Sequence, residues 1–229
     1  TSLFEKHIGV PAWEEVLLLR MYLVLRTPGG GGETAFDRIV CALLKRLDAD
    51  TTAAGWLTLA RALRDNLDLR AADRDRVLRR ALDCWLGAPS FGGEWFSVLE
   101  EIRLFADRAG ERLRELLSES VSTETPERAV AYLHLTTRLF GFPSDAPARL
   151  AARPGSELQT MLPDLVPFVE QPGMSSLLAR RAGLSDWVRA LVTWDAPKFY
   201  RWSLGWATGA TPCPVPATAP VHAAAILLW

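Results

Sequence analysis

Hydrophobic residues recur at the spacing of an α-helix along most of the chain, and no stretch alternates long enough to predict a β-strand. Residues 72–86 show the pattern in its clearest form. Their hydrophobic side chains share one helix face: Val77, Leu78, Ala81, Leu82 and Trp85. We therefore predict an all-α fold, either a compact multi-helix bundle or a short irregular helical solenoid, with a proline-rich extended C-terminal segment.

The first long helix is expected to follow Pro11, because proline suits the first turn of a helix. This helix is hydrophobic on most of its faces, which predicts that it is central and buried. The run TPGGGG at residues 27–32 predicts a flexible loop, since each glycine costs a helix about 1 kcal/mol against alanine.

Three features of residues 94–141 predict where helices bend, begin and end. Residues 94–121 predict helical segments that form one helix bent near Gly110. The tripeptide that begins at Thr125 combines a cap, a first-turn proline and a first-turn acid, and Gly141 predicts the end of the helix that follows.

The regularity of the pattern changes after Gly141. Residues 1–141 predict a regular region of antiparallel helices, and residues 142–229 predict shorter, irregular helices followed by an extended tail. No long polar linker separates the two regions, so we expect them to share one core.

Composition narrows the class of protein. The chain has 229 residues, 26 of them Lys or Arg and 27 Asp or Glu, for a net charge of −1. A general nucleic-acid binder carries a basic excess, so nucleic acid is not an expected partner. Three widely spaced cysteines predict a reducing compartment, and hence an intracellular protein of the cytoplasm or nucleus. No apolar stretch reaches the roughly 18 residues of a transmembrane segment.

The motifs of common catalytic and metal sites are absent from the sequence. The three histidines lack the Glu-x-x-His spacing, and no Cys-x-x-Cys or His-Glu-x-x-His occurs, so we expect no metal. The glycine run is not followed by Lys and Ser or Thr, which excludes a P-loop. His134 lies among hydrophobic residues and is interpreted as structural. We therefore expect no cofactor and no enzyme activity.

Residues 61–80 contain seven Arg and four Asp. Clustered aspartates can hold magnesium on a diphosphate, but here Arg64, Arg70, Arg74 and Arg76 alternate with them and compete for the carboxylates. An ion-paired, solvated helix junction is the interpretation we prefer. Contact with phosphate or nucleic acid through this segment is a weaker alternative, because no aromatic residues stand between the arginines.

Aromatic residues gather near the C-terminal end of the sequence. In a helix that begins near Pro197, Phe199, Trp202 and Trp206 share one face, which suits either a core or a partner. No charged residue occurs in residues 202–229. The candidate protein-binding residues are Trp194, Phe199, Arg201, Trp202, Trp206, Leu228 and Trp229.

These observations predict a non-enzymatic intracellular adaptor or scaffold domain. It would bind a protein partner, or a second copy of itself, through an apolar, Trp-rich C-terminal surface. The alternative is a helical bundle that binds or acts on a small apolar ligand, because pocket linings share Trp, Phe and Leu with ordinary cores.

Overall fold

The computed structural model describes residues 2–27, 31–49, 53–181, 186, 189–190, 193–195, 197 and 201. Helices dominate these ranges and no strand occurs in them, so the predicted all-α, multi-helix fold is confirmed for this part of the chain. The predicted proline-rich extended segment lies outside the described residues.

The α-helices follow one another with short connections. They are α1 (Ser2–His7), α2 (Glu14–Leu25), α3 (Gly31–Ala49), α4 (Ala53–Arg64), α5 (Ala71–Gly87), α6 (Gly93–Phe105), α7 (Asp107–Thr123), α8 (Pro126–Phe140), α9 (Ala146–Ala151), α10 (Gly155–Leu165) and α11 (Met174–Arg181). Single 3₁₀ turns lie at Pro11–Trp13, Pro89–Phe91 and Val166–Phe168.

The chain divides into two compact units, Thr1–Leu116 and Leu117–Trp229. In the first unit α4 packs against α5 and α6, while α3 packs against α1 and α2. In the second unit α10 packs against α8 and α11. Each unit buries its own hydrophobic side chains, such as Trp56 and Leu43 in the first and Leu133 and Leu158 in the second. The division into regular antiparallel helices to residue 141 and irregular helices after it stays a prediction. The expectation that the two regions share one core also stays a prediction.

Two helices match the boundaries that local signals predict. The whole predicted hydrophobic face of α5 is buried. Helix α8 begins at Pro126, carries Glu127 in its first turn and is followed by Gly141 at a φ of +84°. This left-handed conformation is open to glycine without strain, which explains the stop.

The break between α6 and α7 falls at Ala106 rather than at Gly110. Ala106 has φ −119° and ψ 88°, outside the helical range, whereas Gly110 lies inside α7. A Cβ atom at Gly110 would lie 3.2 Å from the carbonyl oxygens of Ile102 and Arg103. The glycine therefore allows close approach of α7 to the end of α6, and it does not bend the chain.

The loop predicted at residues 27–32 is shorter than expected. Helix α3 begins at Gly31, and residues 28–30 lie outside the described residues. A Cβ atom at Gly32 would lie 2.6 Å from the carbonyl oxygen of Val24. The start of α3 thus approaches the end of α2 so closely that only glycine fits there.

Candidate functional site

Helix α2 exposes one of its two hydrophobic faces. Leu17, Leu18 and Met21 are buried toward the core of the first unit. The other face carries Val16, Leu19, Tyr22 and Leu23, whose exposed fractions are 48%, 60%, 44% and 58%. The prediction of a central helix buried on most sides is therefore wrong. We call these four exposed residues the apolar face of α2.

The position of α2 is fixed from its buried side. Arg61 of α4 forms an ion pair with Glu14 at the start of α2 and a second with Glu94 of α6, 2.7 Å away. The guanidinium of Arg61 thus connects three helices of the first unit. These contacts lie on the side of Glu14 and leave the apolar face exposed.

Charged residues border the apolar face at its two ends. Glu15 is exposed at the start of α2, where a carboxylate interacts favourably with the helix dipole. Arg26 is exposed directly after the last turn, and its guanidinium lies over the ring of Tyr22 at 5.2 Å from the centroid. One edge of the apolar face is therefore acidic at its start and basic at its end.

The C-terminal candidate residues are only partly within the described residues. Trp194 is 39% exposed, and Arg201 is exposed in a helical conformation. Phe199, Trp202, Trp206, Leu228 and Trp229 lie outside the described residues. The protein-binding role of this group stays a prediction.

Ion pairs occupy much of the Arg-rich segment at residues 61–80. Arg64 lies 2.6 Å from Asp65, Arg70 lies 2.6 Å from Asp73, and Arg112 of α7 lies 3.0 Å from Asp75. The hydrogen bond with Asp65 raises the pKa of Arg64. The preferred interpretation, an ion-paired helix junction, is confirmed for these aspartates.

A broad groove of about 980 Å³ lies along α1 and α3. Five basic side chains line it: Lys6, Arg38, Lys45, Arg46 and Arg70. Glu5 and Asp37 are the carboxylates of the same lining, which leaves an excess of three positive charges. We call this feature the cationic groove. Sequence reasoning missed it because its residues come from three separate segments, although Arg38, Lys45 and Arg46 share one side of α3 by their spacing.

The thiol of Cys41 lies in the cationic groove. It accepts a hydrogen bond from Nη2 of Arg70 at 2.8 Å. Cys84 is half-buried in α5, and burial raises the pKa of its thiol, although the charge of Arg80 opposes this. The two cysteines therefore differ in surroundings, because Cys41 accepts a hydrogen bond from a guanidinium whereas burial dominates at Cys84.

His134 lies on α8 and is an exposed residue. Its ring packs on Phe168 with centroids 4.5 Å apart, and the resulting desolvation lowers the pKa of His134, while the charge and backbone of Asp164 partly offset this. The structural interpretation of this residue stays a prediction.

Neither a metal centre nor a membrane span is present in the part of the chain that the structure describes. No three side chains of His, Cys, Asp or Glu converge there as ligands for an ion. None of the helices described combines the length and the hydropathy needed to cross a bilayer.

Comparison with known proteins leaves the family open. No protein-family model matches the sequence, and neither a curated protein nor a solved structure matches it. Function must therefore be inferred from the surfaces that the described residues form, such as the apolar face and the cationic groove.

Proposed function

We propose that the chain is a non-enzymatic, intracellular adaptor or scaffold domain that associates with protein through the apolar face of α2. The observation that carries this proposal is the exposure of four large hydrophobic side chains along one helix. Single exposed hydrophobic residues are common, but a continuous stripe of them is typical of an interaction site. Their spacing, from Val16 to Leu23, is that of a helix that lies against an apolar partner.

The partner that best suits this face is a second copy of the chain in antiparallel orientation. Glu15 and Arg26 lie along the same edge of α2, about three helical turns apart. When two such helices pair antiparallel, residues of the same edge meet, so Glu15 of each copy faces Arg26 of the other. A two-fold axis makes this contact twice and also opposes the two helix dipoles.

The expected association is weak and reversible. A stable interface buries about 800 Å² on each partner, and a helix as short as α2 supplies only part of that area. Aromatic and Arg side chains dominate binding energies at interfaces, and Tyr22 with Arg26 over its ring provides one such pair. We therefore expect monomers and dimers in equilibrium.

Light-scattering mass measured across a concentration series tests this proposal. The mass of the natural chain should rise from 25.3 kDa toward that of two copies as the concentration increases. Leu19→Ser combined with Leu23→Ser should hold the mass at the monomer value. The matched control is Leu104→Ser with Phe105→Ser, which removes two exposed hydrophobic side chains from the end of α6 in the same unit. Equal association of all three chains would contradict the proposal.

The Trp-rich C-terminal residues are the other candidate for the protein-binding surface. A chain that ends at Gly209 separates the two possibilities. If association depends on the apolar face, the shortened chain should still dimerise as long as it folds. If the shortened chain folds and remains monomeric, residues 210–229 are the interaction element instead.

Contact with phosphate or nucleic acid through residues 61–80 is not favoured by the geometry. Arg61 and Arg64 each face a carboxylate, so a phosphate that approached them would have to displace an ion pair.

A further inference from the structure

We infer that the cationic groove binds an oligophosphate, a small anion that carries several phosphate groups. This site shares no residue with the apolar face of α2, so it does not depend on the proposed association. It would give the domain a small-molecule ligand in addition to its protein partner.

Among the residues that the structure describes, the basic side chains of the groove outnumber the carboxylates. No ion pair joins Lys6, Arg38, Lys45 or Arg46 to a carboxylate among the side chains that the structure describes. Only Arg70 does so, with Asp73 at 2.6 Å and Asp37 at 3.8 Å. The whole chain has a net charge of −1, so this excess is local. A bound anion would relieve the mutual repulsion of these cations.

The dimensions of the groove favour several phosphates over one. Arg38 and Arg46 are eight positions apart on α3, which corresponds to about 12 Å along the helix. A single phosphate cannot contact both ends of such a row, whereas a chain of phosphates can. Arginine adds paired hydrogen bonds to phosphate oxygens, which gives each contact a defined geometry.

The composition of the lining argues against recognition of a nucleobase. No aromatic side chain contributes to the groove among the described residues. Proteins that bind single-stranded nucleic acid add aromatic rings on which bases stack. The phosphate groups themselves, and not an attached base, are therefore the part of the ligand that this groove recognises.

Calorimetric titration with inorganic tripolyphosphate at low salt tests the site. The natural chain should bind it saturably, and added salt should weaken binding because it screens the exposed charges. Lys45→Gln with Arg46→Gln should reduce affinity about tenfold, as expected for the loss of two exposed charge contacts. The control, Arg108→Gln with Arg114→Gln, removes the same charge from exposed positions of α7 and should change affinity less than about twofold.

Alkylation of cysteines, followed by mass spectrometry, locates the bound ligand. Tripolyphosphate should slow modification of Cys41, which lies in the groove beside Arg70, and should leave Cys84 of α5 unaffected. Lack of saturable binding, or equal losses in both double variants, would overturn the inference. Binding to vesicles of anionic phospholipid without binding to tripolyphosphate would also overturn it, because the groove would then recognise a membrane surface.

Discussion

Met21 and Leu19 lie two residues apart on α2 and point to nearly opposite sides of it. The side chain of Met21 is fully buried, whereas that of Leu19 is 60% exposed. Two helical residues are separated by about 200° around the axis, so both cannot face the same core. Helix α2 therefore contributes one hydrophobic face to the first unit and presents another outward, and the proposed association depends on this division.

The two faces of α2 should respond differently to substitution. Met21→Ala should lower the free energy of unfolding by about 2–5 kcal/mol, because it leaves a cavity in a packed core. Leu19→Ser should change it by no more than about 0.5 kcal/mol in dilute solution. Urea denaturation monitored by circular dichroism measures both changes. Similar losses for the two variants would show that Leu19 is also packed.

Arg153 is a second residue whose surroundings predict a large effect. Its side chain is 5% exposed and donates hydrogen bonds to the carbonyl oxygens of Val121 at 2.9 Å and Glu124 at 2.6 Å. These carbonyls lie at and just after the last turn of α7, where helices leave acceptors unpaired. Glu157 completes the arrangement as an ion-pair partner 2.9 Å away.

Arg153→Met should therefore destabilise the second unit by about 2–4 kcal/mol, since two carbonyl groups lose their donors. Arg153→Lys should recover only part of this loss, because a lysine lacks the planar fork that spans two acceptors. Thermal unfolding of the three chains gives the comparison. A melting temperature unchanged in Arg153→Met would contradict this role.

Replacement of Gly32 by alanine should destabilise the fold, although alanine favours helices. Alanine is intrinsically better than glycine in a helix by about 1 kcal/mol. At this position its Cβ would lie 2.6 Å from the carbonyl oxygen of Val24, so Gly32→Ala should cost about 1–3 kcal/mol of stability. Gly87→Ala is the matched control, because the added Cβ at the end of α5 would have no atom within 4 Å apart from its chain neighbours and the backbone of its own helix. It should leave stability unchanged or raise it slightly in chemical denaturation.

The lowered pKa of His134 predicts a pH dependence of stability. The unfolded chain holds this proton more tightly than the folded chain, so acid favours unfolding. The free energy of unfolding should fall as pH decreases through about 6.5, the ordinary value for histidine, and this loss should stop below the folded pKa. His134→Gln should flatten the profile in that window. Parallel profiles for both chains would rule out His134 as the source.

The fold was largely predictable from sequence because its main signals are local. The buried face of α5 and the stop at Gly141 depend on residues within a few turns of each other. The orientation of α2 was not predictable in this way. Nine of its twelve positions are hydrophobic, so periodicity cannot show which side packs against α3 and α4.

The candidate sites were less predictable than the fold, for a different physical reason. Lys6, Lys45 and Arg70 are far apart in sequence and meet only because α1 packs on α3 and the loop before α5 returns to that side. The break at Ala106 was not predictable from propensity, because alanine favours helices. Glycine disfavours them, so the sequence placed the bend at Gly110 instead. Contacts between distant segments decide the position of the groove.

A charge exchange across the proposed dimer is the most direct test of the central claim. Glu15→Arg and Arg26→Glu should each weaken association at least about fivefold, because each substitution turns two attractive contacts into repulsive ones. The chain that carries both substitutions should regain the affinity of the natural chain, since the antiparallel pairing again joins opposite charges. Sedimentation equilibrium of the four chains measures these dissociation constants. A double variant that associates more weakly than either single variant, or four identical constants, would contradict antiparallel pairing through α2.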